Sequence, residues 1–258
     1  MTLSVQCENL CVGWSGKTVV ENPLIEKSFD ELNCALPLLG RTGRGKSTLL
    51  YALAGMSRPL AGRVTWEFPS DKASRSWSGD DVSFKRINDL RRTKFGFLLQ
   101  DASMIPCFTV AENLRHTLRL RGMTVDIEKR IANAVEDMRI PPEEPGELLG
   151  KYPSQLSGGQ RQRMALAVAI AHDPAVLFAD EPTASLDDAS AHEVLRVIRK
   201  WLDVGEGRRA FVFATHRTET LYSHVGARWV WELSQLKKGE AAKADWRPLT
   251  SEKFVPIE

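Results

Sequence analysis

The sequence predicts an α/β protein built on a mostly parallel sheet, with an antiparallel β portion at its N-terminus and a helical insertion. Three observations predict it. Short apolar runs alternate with helical stretches along most of the chain, the pattern of strands joined by crossover helices. One strand-to-helix junction is glycine-rich, Gly40-Arg41-Thr42-Gly43-Arg44-Gly45-Lys46-Ser47. Residues 94–165 carry helix-start signals and no clear strand. We expect one domain over residues 1–258, with 1–93 and 166–258 forming the β portion and the core, and 94–165 the helical part.

Composition sets the outer bounds. The 258 residues are 43% hydrophobic and 26% charged, enough apolar content for a sizeable core and too much for global disorder. Lys+Arg total 35 against 33 Asp+Glu, a formal charge of +2. A mainly electrostatic nucleic-acid binder needs a basic excess on one face, so no nucleic-acid partner is expected. The longest apolar run, Met164 to Ala171, falls far short of the ~20 residues of a spanning helix. The first residues, MTLSVQCENL, lack the basic-then-apolar order of a secretory signal. Cys7, Cys11, Cys34 and Cys107 lack paired CxxC spacing and read as reduced packing cysteines.

The elements follow in order. Leu3, Val5 and Cys7 alternate with polar residues, and Thr18-Val19-Val20 follows, which suggests antiparallel strands. Asn33 to Leu39 reads as a buried strand despite Pro37, which cannot donate a ladder hydrogen bond. Ser47 to Ala54 reads as a helix closed by Gly55, and Pro69 to Asp81 as a polar surface loop. Lys85, Arg86, Arg91, Arg92 and Lys94 form a basic cluster, the usual sign of a solvated helix face. Thr109 and Glu112 have capping-box spacing, so a helix should run to about Arg121 and stop at Gly122. A second helix is expected over Asp126 to Met138, a break at Pro141 to Gly146, and a third helix from Ser157 to His172. Ala175 to Ala179 and Ala210 to Ala214 read as strands, separated by a helix that starts near Ser185 to Asp188 and carries an apolar stripe of Val194, Leu195, Ile198 and Leu202. Arg228 to Leu233 reads as a further strand, and the tail from Gly239 carries no signal.

Residues 40–47 satisfy GxxxxGK[ST], with Thr48 next. Glycines let successive backbone N–H groups turn inward around phosphates, and the helix that starts near Lys46 adds its positive dipole end. Lys46 should reach the β- and γ-phosphates of a nucleotide and Ser47 should ligate Mg²⁺. Arg41 and Arg44 add long cations to the loop. The strand Ala175 to Ala179 ends in Asp180-Glu181. Asp180 is the candidate for Mg²⁺ through water, and Glu181 the candidate general base toward an attacking water.

Leu156-Ser157-Gly158-Gly159-Gln160, followed by Arg161-Gln162-Arg163, resembles the signature of the ATP-binding-cassette (ABC) ATPases. Other matches occur in the family's order: Gln100 at the Q-loop, Ser185-Leu186-Asp187 at the D-loop, His216 at the switch histidine and Trp14 at the adenine-stacking aromatic. The resemblance implies a P-loop NTPase core and an ATPase that uses ATP and Mg²⁺. It implies catalytic roles for Glu181, His216, Gln100 and Lys46, and metal roles for Ser47, Gln100 and Asp180. The nucleotide contacts it implies come from Trp14, residues 40–48, Gln100, Ser157, Gly158, Gly159, Gln160 and Asp187. Ser157 to Gln160 would receive the γ-phosphate held by a second subunit, so two chains, a homodimer or heterodimer, would sandwich two ATP molecules.

The stretch from Leu90 to Leu114 and the run Tyr152 to Gln160 look like the lipoprotein-release and macrolide-export group of this family. Pro-Thr-Ala-Ser after Glu181 departs from that group's usual Pro-Thr-Gly-Asn. The implied protein is a nucleotide-binding subunit that lies on the cytoplasmic face of the membrane and drives separate integral membrane permease subunits or a force-transmitting membrane partner. Two other readings are a soluble ABC ATPase acting on nucleic acid or ribosomes, and a non-hydrolysing, ATP-dependent regulator of a membrane complex.

Overall fold

The computed structural model describes residues 3–21, 25–29, 34–71, 74–79, 84–99, 104–138, 145–216, 225–234 and 241–248. Its strands are β1 (Ser4–Trp14), β2 (Lys17–Glu21), β3 (Ile25–Ser28), β4 (Ala35–Leu39), β5 (Ala61–Glu67), β6 (Arg75–Ser78), β7 (Phe95–Leu98), β8 (Val176–Asp180), β9 (Ala210–Thr215), β10 (Trp229–Ser234) and β11 (Ala242–Pro248). The helices are α1 (Lys46–Leu53), α2 (Phe84–Thr93), α3 (Val110–Leu120), α4 (Ile127–Glu136), α5 (Pro145–Leu149), α6 (Gly158–Ile170) and α7 (Asp188–Val204). The sheet runs β6-β5-β1-β2-β11-β10-β4-β9-β8-β7, with β3 paired to β1. Pairing is antiparallel among β1, β2, β3, β5 and β6, and parallel through β10, β4, β9, β8 and β7.

The parallel strands are apolar on both faces because both faces are covered, as parallel sheets require. On β9, Phe211 and Phe213 join the cluster built with α3, α4, α6 and α7, while Val212 and Ala214 join the cluster built with α1 and the antiparallel strands. On β8, Leu177 and Ala179 face the first cluster, and Val176 and Phe178 the second. This period of two is the pleat itself. Trp66 of β5 joins the two parts of the sheet: it stacks on Phe29 at 5.8 Å and meets Phe95 and Phe178 edge-on at 5.6 and 5.8 Å.

The antiparallel portion also fixes the helix after the glycine-rich loop. The last carbonyls of a helix lack intrahelical donors. Trp66 Nε1 donates to Leu53 O at 3.0 Å and Trp77 Nε1 to Ala52 O at 3.1 Å. Two indoles from β5 and β6 thus close the end of α1.

Several expectations are corrected. The polar stretch Pro69 to Asp81 contains a strand, β6, whose one fully buried side chain is Trp77. Residues 94–165 do hold a strand: β7 pairs in parallel with β8, Phe97 opposite Phe178, and so belongs to the core sheet. The chain after Gly239 holds β11, which pairs with β10 and in parallel with β2. The break after Pro141 contains the short helix α5. The N-cap of α7 is Asp187, whose carboxylate accepts from Ser190 N at 2.9 Å, so the cap lies two residues beyond Ser185. Pro37 lies within β4 opposite Phe213 of β9, while β10 pairs with β4 only at Leu38 and Leu39. Thr109 caps α3 through a complete capping box, and Gly122 follows with φ of 80°. Asn33 and Asp81 lie outside the described residues.

Candidate functional site

Parallel strands present their carboxyl ends on one edge, and β4, β9 and β8 are consecutive neighbours there. Their ends are level: Leu39 pairs with Thr215, and Ala214 with Asp180. The next residues along each strand are Gly40, His216 and Glu181. Three segments far apart in sequence therefore meet at one place.

Gly40 to Gly45 turns through positive φ at Gly40, Gly43 and Gly45 (151°, 80° and 89°). Lys46 opens α1, is nearly buried, and donates through Nζ to Gly40 O at 2.8 Å and Arg41 O at 3.3 Å. Its ammonium thus sits in the concavity of the loop, 4.0 Å from Glu181 Oε1. Burial pushes the ammonium below its ordinary pKa, and the carboxylates of Glu181 and Asp180 oppose that push. Arg44 N donates to Arg41 O at 3.3 Å, which closes the turn between the two arginines.

Ser47 Oγ donates to Asp180 Oδ1 at 3.0 Å, and Tyr51 Oη donates to Asp180 Oδ2 at 3.0 Å. Ser47 keeps its lone pairs while its proton points at Asp180. A hydroxyl beside a carboxylate is a hard, all-oxygen donor set, which fits Mg²⁺. Glu181 has φ of 51°, the left-handed region that side chains other than glycine rarely occupy. Its N–H still donates to Ala214 O at 2.9 Å, so the backbone bends out of the ladder just where the side chain is needed. Glu181 Oε2 lies 2.9 Å from His216 Nδ1; the carboxylate side chain is 14% exposed and the imidazole 51%.

A cavity of about 470 Å³ opens at this edge. Thr42, Gly43, Gly45, Lys46, Ser47 and Thr48 form one wall. Glu181 and His216 form another, with Ala184 beside them, and Trp14 and Val19 a third. Trp14 is 54% exposed, with its indole Nε1 donating to Thr48 Oγ1 at 2.9 Å. The ring is tethered at its edge and its flat faces remain available for stacking.

The signature residues sit elsewhere. Ser157 is the N-cap of α6, accepting from Gln160 N while Gln160 Oε1 accepts from Ser157 N. Among the described residues, Ser157, Gly158, Gly159 and Gln160 do not line the cavity. A Cβ added to Gly158 would meet nothing within 4 Å, so the first turn of α6 is open on that side. Asp187 is engaged as the cap of α7, and the N–H and hydroxyl of Ser190 hold its carboxyl below the usual range. Gln100 lies outside the described residues.

Tyr51 belongs to none of the motifs, although its i+4 spacing from Ser47 puts both on one face of α1. Gln162, named above only within the run that follows the signature, has a role of its own: it is buried on α6 and donates to Pro182 O at 2.8 Å, tying the signature helix to the residue after Glu181. A polar residue in an otherwise apolar helical face was the available signal.

Residues 33–184, more than half of the chain, match the family model described as ABC transporter. A lipoprotein-releasing system ATP-binding protein, LolD, of Legionella pneumophila (strain Lens) is 37% identical over 165 residues, 62% of this chain and 65% of that protein. An uncharacterized ABC transporter ATP-binding protein of Thermotoga maritima is 36% identical over 182 residues, 70% of this chain and 71% of that protein. LolD of Blochmanniella floridana is 34% identical over 72% of this chain and 73% of its own length. The chain thus spans about two thirds to three quarters of these relatives. Among solved structures, a dimeric post-hydrolysis state of the ATP-binding cassette MJ0796 bound to ADP and Pi superposes with a TM-score of 0.74 at 24% identity, covering 97% of this chain and all of that one. That likeness establishes the fold.

Proposed function

Because the chain belongs to the ABC transporter family, in which its relatives are ATP-binding proteins, we propose that it binds and hydrolyses ATP between two cassettes to drive separate integral membrane permease subunits. The observation that carries this reading is the convergence of Lys46, the Ser47–Asp180 pair and the Glu181–His216 pair on one cavity.

The loop N–H groups and Lys46 take the β- and γ-phosphates, and the indole face of Trp14 takes the adenine. Ser47 and Asp180 are the residues that would hold Mg²⁺, which would supply positive charge against the phosphates. Glu181 accepts the proton of the water that attacks the γ-phosphorus, and His216 fixes the carboxylate orientation. Lys46 lies close enough to Glu181 to draw phosphate and base together.

The signature residues lie outside the cavity of their own chain, which supports a second cassette as the donor of Ser157 to Gln160. Gly158 and Gly159 bring first-turn N–H groups, which have no intrahelical acceptor, to the positive end of a 13-residue helix. A γ-phosphate there bridges the two subunits, and its hydrolysis releases them, a two-state interface switched by ligand charge. Asp187 and Gln100 stand as further contacts across this interface and toward the metal. The place of action is then the cytoplasmic face of the membrane, where such a partner is reached.

Light scattering of a Glu181→Gln variant tests the pairing. With MgATP the variant should double in mass, and with MgADP it should not. A mass that stays that of one chain at saturating ATP contradicts the proposal.

A further inference from the structure

We infer that Tyr51 is a positioning residue for the metal site: its phenol holds the outer oxygen of Asp180 so that the inner oxygen and Ser47 face the cation. This rests on the reading of the cavity as a Mg²⁺–nucleotide site.

The geometry is specific. Ser47 and Tyr51 are one helical turn apart on α1, and their hydroxyls approach opposite oxygens of one carboxylate, each at 3.0 Å. Asp180 is nearly buried at the end of β8. A carboxylate held by one hydroxyl can still rotate about its terminal torsion, whose well is broad. A second donor on the far oxygen removes that freedom. Neutral donors do this without adding a positive charge that would compete with the cation. The backbone around Tyr51 is fixed as well, since Tyr51 O accepts from Met56 N at 2.8 Å and Ser57 N at 3.1 Å. The indoles of Trp66 and Trp77 anchor the following residues, Ala52 and Leu53.

Groups that orient a metal ligand change metal affinity when removed, even though they never touch the ion. The phenol acts on Asp180 and not on the nucleotide cradle, so the effect should appear in metal affinity and leave metal-free nucleotide binding alone. The probe is Mn²⁺, followed by electron paramagnetic resonance, titrated into the full chain with a slowly hydrolysed ATP analogue. Tyr51→Phe keeps the ring and removes the donor. Its Mn²⁺ affinity should fall about tenfold, and its analogue affinity in EDTA should match the wild type. In turnover, the Mg²⁺ concentration for half-maximal rate should rise by the same factor, with kcat recovered at high Mg²⁺.

Equal Mn²⁺ affinity in the two proteins overturns the inference and leaves the nucleotide site standing. A wild type that binds neither Mn²⁺ nor analogue overturns both. Thermal melting without metal accompanies the titration: a variant that is unfolded there marks Tyr51 as a packing residue and also overturns the inference.

Discussion

Glu181 Oε2 and His216 Nδ1 lie 2.9 Å apart, joined across the ends of β8 and β9. β8 and β9 are adjacent in the sheet, so the pair is set by register and not by a flexible loop. His216→Ala should lower kcat by roughly 10²–10⁴, the usual worth of an oriented acid–base group. ATP affinity should change little, since the imidazole acts on the carboxylate. Steady-state kinetics and equilibrium nucleotide binding on the same preparation check both halves.

Lys46 occupies a site that disfavours its charge, because burial lowers its pKa. Lys46→Met removes that charge together with its hydrogen bonds to Gly40 O and Arg41 O, so the variant's own nucleotide-free melting point is its reference. Wild-type protein should gain about 2.7 kcal/mol at ATP concentrations near 100 times Kd. The variant should lose most of that gain. Thermal melting with and without MgATP measures it.

Gly45 has φ of 89°, and an added Cβ would lie 2.6 Å from Val20 Cγ2 and 2.7 Å from Val19 Cγ1. Gly45→Ala should destabilise the fold by about 1–3 kcal/mol and abolish nucleotide binding. Urea denaturation gives the first quantity and a fluorescent ATP analogue the second.

Burial, helped by the Arg121 guanidinium, pushes His172 down to about 3, with a contact to the Phe95 backbone opposing it. The unfolded chain takes up a proton near the ordinary value of 6.5 and the folded chain does not. Stability is therefore full above pH 6.5 and falls as pH drops toward 3, by about 1.4 kcal/mol per pH unit. His172→Leu should flatten that slope between pH 6.5 and 4.5. Urea midpoints across this range provide the comparison.

The parallel core and the place of the candidate site were legible because motif and pattern agree there. Gly40 to Ser47, Asp180-Glu181 and His216 each follow an apolar run, and the sheet brings the three together. What escaped has physical causes. β6 buries one tryptophan among serines and an arginine, so its period is invisible over four residues. β11 alternates weakly, with half-buried and exposed residues mixed, because only its first residue is fully buried. β7 is four residues long and contains Gly96, whose added Cβ would strike Ala169 O at 2.4 Å. Its place in the core depends on packing against α6, which no local pattern encodes. Tyr51 and Gln162 act through partners 129 and 20 residues away in sequence, at Asp180 and Pro182 respectively.

The role of Glu181 is decided by phosphate release from purified wild type and Glu181→Gln, assayed side by side with MgATP. The expected result is steady turnover in the wild type and, in the variant, a rate lower by at least about 10² with ATP still bound. Equal turnover in the two proteins would contradict it.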